Sequence, residues 1–89
     1  MLDLCGLQAS TVGMTAEELD HRIGISRQTV VGWRQMLSAL QPEGALQMIG
    51  DEVEMLDTIA IAYPERADEV AVLIDQWEDL SERLRARAH

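Results

Sequence analysis

Near the end of the chain Val70, Leu73, Trp77, Leu80 and Leu84 recur at spacings of three, four, three and four residues. A helix turning once every 3.6 residues gathers such positions on one side, whereas a strand, with its period of two, scatters them over both faces. The segment from about Pro64 to Ala88 therefore reads as an amphipathic helix whose apolar seam has to be covered. Its charges suit the helix dipole, with Glu65, Asp68 and Glu69 near its start and Arg83, Arg85 and Arg87 near its end. Pro64 fits the first turn, where a missing backbone N–H costs nothing. The seam spans only about two heptads, fewer than an independent coiled coil needs. It is open to two uses, packing on the protein's own core or holding a second subunit.

The upstream segments are helical as well. Thr15 and Glu18 have the T-x-x-E spacing of a capping box, with Met14 and Leu19 placed as a hydrophobic staple around it. Leu19 and Ile23 give that helix a narrow apolar face. Gly24 suits a left-handed residue that ends the helix, and Ser26 can then cap another, RQTVVGWRQML, with Val30, Trp33 and Leu37 on one side. Helix, tight glycine turn, helix is a helix-turn-helix layout. The run Gln41-Pro42-Glu43-Gly44 marks a loop, and a further helix is expected from about Ala45 to Ala62, with Leu46, Ile49, Val53, Leu56 and Ile59 or Ala60 inward and Gly50 as a weak point. Leu2, Leu4 and Leu7 suggest a short first helix over residues 2–11. The expectation is an all-α, compact helical domain. Residues 1–40 form its helix-turn-helix half and residues 41–89 its acidic helical core and dimerisation half.

Composition narrows the function classes. A chain of 89 residues supports one small domain, and domains of this size often gain stability from a partner subunit. Hydrophobic residues make up 47% of it, too many for a disordered tail, and with no Phe the core must be aliphatic with help from Met and Trp. Cys5 stands alone, which excludes an internal disulfide and a thiolate metal cluster and suits a reducing compartment. His21, His89 and Cys5 are scattered, without metal-ligand spacing. No nucleophile–base–acid set and no phosphate loop is visible, so neither catalysis nor a cofactor or small-molecule ligand is expected. The opening MLDLCGL carries an acid and no basic region, unlike a secretory signal. The apolar runs fall short of the ~20 residues of a membrane span. A soluble, cytoplasmic protein is the expectation.

The formal net charge is −9, and it is unevenly placed. Residues 1–40 hold four acids against three bases, a net of −1, while residues 41–89 hold twelve acids against four bases, a net of −8. The helix-turn-helix half is thus close to neutral, and the acidic half could face away from a polyanion. Sparse bases predict weak non-specific affinity for nucleic acid, because neutralised phosphates supply most of that affinity.

The stretch LQASTVGMTAEELDHRIGISRQTVVGW resembles the helix-turn-helix of the Cro/CI-type (XRE) regulators. The resemblance rests on Met14-Thr15, Leu19, Ile23-Gly24-Ile25-Ser26, Thr29-Val30 and Trp33, and covers about residues 7–37. In size and plan the chain is similar to small phage and mobile-element repressors, among them the autorepressors that accompany anti-CRISPR genes. The resemblance implies that Ser26, Arg27, Gln28, Val31 and Gln35 face the major groove of double-stranded DNA, with Arg34 nearer the backbone. Their chemistry suits that task, since Arg can bridge guanine O6 and N7 and Gln adenine N6 and N7, each discriminating by about 1–3 kcal/mol. Ser26, at a helix N-terminus, could hold a phosphate. Two residues depart from the family pattern. Asp20 stands where a small residue is usual and needs a partner or an outward tilt, and Trp33-Arg34-Gln35-Met36 replaces the usual Trp-Glu-x-Gly, lengthening the helix.

The function expected on these grounds is a DNA-binding transcriptional regulator, an autorepressor that binds a palindromic operator as a homodimer. Val70, Leu73, Trp77, Leu80 and Leu84 would hold the two subunits together. Trp33 is expected to pack rather than stack on bases, and Met36, Met48 and Met55 to fill gaps in the core. The rival expectation is an acidic inhibitor, derived from a helix-turn-helix scaffold, that binds a protein partner in place of DNA.

Overall fold

The computed structural model describes residues 14–88, and there it holds three α-helices and no strand. These are α1 (Ala16–Gln35), α2 (Pro42–Ala62) and α3 (Ala67–Ala88), joined by short 3₁₀ turns at Leu37–Ala39 and Pro64–Arg66. The short helix expected over residues 2–11 lies outside the described residues.

Helix α1 starts where the capping box places it. The Thr15 hydroxyl accepts from the Glu18 N–H at 3.1 Å, and the Glu18 carboxylate accepts from the Thr15 N–H at 2.9 Å. The expected break at Gly24 is absent, and α1 continues through Gly24, Ile25 and Ser26 to Gln35. No described glycine has a positive φ, so the left-handed turn that would separate two helices is not formed. The physical reason lies in the buried stripe: Leu19, Ile23, Ser26 and Val30 are inward at spacings of four, three and four, a seam that a turn at Gly24 would break.

The remaining boundaries follow from the prolines. Leu40 and Gln41 are extended, as the residue before a proline prefers, and Pro42 itself opens α2 at its first position, three residues ahead of the expected start at Ala45. Pro64 opens a 3₁₀ turn, so α3 begins at Ala67 rather than at the proline.

Helices α2 and α3 form an antiparallel hairpin packed along its length, and α1 lies mainly on α3. The core joins Leu19, Ile23 and Val30 of α1, Ala45, Ile49, Leu56 and Ile59 of α2, and the whole seam of α3. Val70, Leu73, Trp77, Leu80 and Leu84 are at most 2% exposed within the single chain. The assignment of these five residues to a subunit interface is therefore corrected: α1 and α2 cover the seam, and nothing of it is left to offer a second copy. Met55 packs against the core as expected, whereas Met36 and Met48 are exposed and fill no gap. No described helix is long and apolar enough to cross a membrane.

A glycine in mid-helix costs about 0.5–1 kcal/mol relative to alanine, and a Cβ added at Gly24 would meet nothing within 4 Å. Gly24→Ala is accordingly expected to stabilise the protein by about 0.5–1 kcal/mol, raising its melting temperature by several degrees. Loss of stability in a thermal melt would instead mean that Gly24 occupies a left-handed turn.

Candidate nucleic-acid interface

The six residues expected to meet DNA divide by helical phase. Arg27, Gln28, Val31, Arg34 and Gln35 are all solvent-exposed on α1. The spacings 27–31–35 and 27–34 place them on one side of the helix. Val31 is 46% exposed with no apolar cover, and nearby Ile25 is 42% exposed. From His21 to Pro42 the chain contains no Asp or Glu, so the acid of α1 nearest this surface is Asp20, one heptad before Arg27.

Ser26 belongs elsewhere. It is 1% exposed in the middle of α1, neither at a helix start nor within reach of a phosphate, and its placement in the interface is corrected. Its hydroxyl accepts a hydrogen bond from the Trp77 indole N–H at 2.9 Å in the core. Trp77 is the largest buried side chain, and the edge of its ring pair with Trp33 is set by a centroid distance of 5.5 Å and an interplanar angle of 83°. This T-shaped contact is a preferred aromatic geometry. Trp33 thus packs, as expected, and Trp77 anchors the core rather than an interface.

The cations near this face are differently engaged. Arg27 reaches Glu69 of α3 at 3.0 Å, an exposed pair of the kind that contributes about 0–1 kcal/mol. Arg22 pairs with Glu52 of α2 at 2.9 Å. Asp20 finds a partner, since Arg66 contacts it at 2.7 Å while also holding Glu69 at 2.6 Å. Arg34 makes no ion pair among the described residues. Arg87, from the end of α3, donates to the Leu37 carbonyl just beyond α1 and brings a further basic residue to that end of the surface.

The shared carboxylate is the electrostatic hub. Hydrogen bonding from Arg66 holds Glu69 below its ordinary value of 4.5; partial burial opposes this and Arg27 adds to it. The Arg66 guanidinium is raised above its usual range, chiefly by Glu69 and then by Asp20. Sequence reasoning did not identify Glu69, Arg66 and Glu52 as partners of α1. The Arg66–Glu69 pair has helical i,i+3 spacing and was legible, but its reach to Asp20 and Arg27 depends on how α1 crosses α3.

Among the described residues no group of three or more His, Cys, Asp and Glu side chains is placed to hold a metal. Comparison with protein-family models, with curated proteins and with solved structures gives no match.

Two measurements probe this arrangement. Ser26→Ala leaves the buried Trp77 N–H without its acceptor, an expected loss of about 1–3 kcal/mol by denaturant unfolding; an unchanged midpoint would show that the bond carries no stability. Because the Glu69 carboxyl is depressed in the folded state, its contribution is present above its ordinary value and lost as pH falls through the lower, folded value. Glu69→Gln should therefore be less stable than wild type near neutrality, with the difference closing as pH drops below 4.5.

Proposed function

We infer that the protein is a small sequence-specific DNA-binding regulator that presents the outer face of α1 to the major groove. The observation that carries this reading is the coincidence of Arg27, Gln28, Val31, Arg34 and Gln35 on one exposed side of α1, in a stretch of sequence without Asp or Glu, in a chain of net charge −9. A major groove about 12 Å wide admits one α-helix, and Arg, Gln and an aliphatic side chain are the residue types that read guanine, adenine and the thymine methyl. The Arg27–Glu69 pair is exposed and weak, so the guanidinium can exchange a carboxylate for a base edge or a phosphate at little cost. The acids of α2 and α3 account for the low overall affinity for polyanions that such a reader would have.

A single long helix, rather than the second helix of a helix-turn-helix, carries the contacts. A homodimer on a palindromic operator, with half-sites about 34 Å apart, remains the arrangement that doubles the few contacts each copy can make. Its subunit contact must lie outside the buried α3 seam. Autorepression is the role proposed for such a complex.

A mobility-shift titration with the DNA upstream of the protein's own gene is expected to give a specific shift at low salt. Few phosphate contacts predict a shallow salt dependence, with a slope of about −1 to −3 in log K against log salt. Arg27→Ala and Arg34→Ala should each weaken binding at least several-fold while circular dichroism stays unchanged. No shift at low salt, or full binding by the double variant, would remove α1 from this role.

A further inference from the structure

A second surface lies on the α2–α3 hairpin, in a groove of about 430 Å³ to which no residue of α1 contributes. Its floor is aliphatic, formed by Leu46, Ile49 and Val53 of α2 and Ile74 of α3. Leu46, Val53 and Ile74 pack against the core on one side and stay partly open on the other. Gly50 sits in the middle of this floor, exposed, and a Cβ built on it would meet nothing within 4 Å, so the backbone of α2 can be approached closely there. The rims are acidic: Glu54 and Asp57 border the groove from α2 and Glu78 from α3, with Arg85 as the one base at the Leu46 end. Glu82 extends the α3 rim. None of these four carboxylates takes part in an ion pair among the described residues. The ion pairs among the described residues lie elsewhere: Arg22–Glu52 and Arg27–Glu69 between helices, Arg66 from its 3₁₀ turn to Asp20 and Glu69, and Arg83–Asp79 along α3.

We propose that this groove docks an amphipathic helix of a basic protein partner, its aliphatic stripe on the floor and its Lys and Arg residues over the two acidic rims. Helix-in-groove recognition needs an apolar trough of this kind, filled by side chains at i, i+3 or i+4, and i+7. Charge complementarity decides the occupant. The groove's own lining holds three carboxylates against one guanidinium, so a second copy seated groove to groove would set like charges face to face, on top of the repulsion between two chains of net charge −9. A basic helix relieves both. The proposal is independent of DNA reading by α1, because the two surfaces share no residue.

The test uses the full chain and a fluorescein-labelled 18-residue helical peptide of Leu and Lys, with Leu at three- and four-residue spacing, read by anisotropy. The control is the same peptide with Glu in place of Lys. The basic peptide should bind and the acidic one should not. Gly50→Trp fills the trough from a position with free space above it and should weaken binding about tenfold or more. Its circular dichroism should match wild type, and Gly50→Leu serves the same purpose if the indole disturbs the fold. Glu54→Gln with Glu78→Gln should weaken binding several-fold, whereas Glu65→Gln with Asp68→Asn, an equal change of charge away from the groove, should not. Equal losses from the two pairs would reduce the interaction to bulk charge and overturn the proposal. So would undiminished binding to both Gly50 variants. A light-scattering mass of a dimer for wild type that falls to a monomer in Gly50→Trp would assign the groove to a second copy instead.

Discussion

The buried hydrogen bond from Trp77 to Ser26 sets the orientation of everything on α1. Without any Phe, Trp77 supplies the largest single volume of the core, and it brings a polar N–H with it. That N–H cannot be left dry and unpaired without a penalty of about 1–3 kcal/mol. Ser26 answers it, and with Ser26 turned inward the helical period leaves no freedom for its neighbours. Leu19, Ile23 and Val30 must share the inner side, and Arg27, Gln28 and Val31 must share the outer one. Trp33, edge-on to Trp77, extends the same contact by two turns and holds the end of α1 down.

Around this apolar contact the cations act as clips between helices. Arg22 ties α1 to α2, Arg27 ties α1 to α3, and Arg66 bridges Asp20 and Glu69 where α1 meets the start of α3. Each exposed pair is weak alone, but a carboxylate shared by two guanidinium groups gains from both. Charge is sorted as a consequence. Asp20, Glu52 and Glu69 are paired in this way, whereas Glu54, Asp57, Glu78 and Glu82 along the hairpin groove take part in no ion pair among the described residues.

The molecule therefore presents two surfaces of opposite character. One is the exposed side of α1 from Arg27 to Gln35, a stretch of Arg, Gln and Val without Asp or Glu, and the other an aliphatic trough between acidic rims. A polyanion is the partner proposed for the first, and a basic protein segment the partner proposed for the second. Strong overall acidity is then compatible with DNA reading, because it is segregated rather than spread.

Local chemistry was legible in the residues themselves. The capping box at Thr15, the 3–4 spacing of α3 and hence the all-α class all rest on interactions within a turn or two of the chain, whereas Pro42, expected in a loop, opens α2, and Pro64, expected to open α3, opens a 3₁₀ turn. Helical phase alone also puts Arg27, Gln28, Val31, Arg34 and Gln35 together on the exposed side of α1. Gly24 and Ser26 were misread because both have strong local meanings, a helix end and a helix cap, that burial overrode. The unbroken run Leu19, Ile23, Ser26, Val30, Trp33 and Leu37 carried the opposing signal across Gly24. By itself the sequence determined which segments are helical and which side of each is apolar. Only the tertiary structure decided what covers those sides: that α1 is one helix, that the α3 seam is spent inside the chain, and that a trough stays open between α2 and α3. Helical period is a local property of the backbone. The partner of a buried face depends on which distant side chain, here Ser26 for Trp77, can satisfy it.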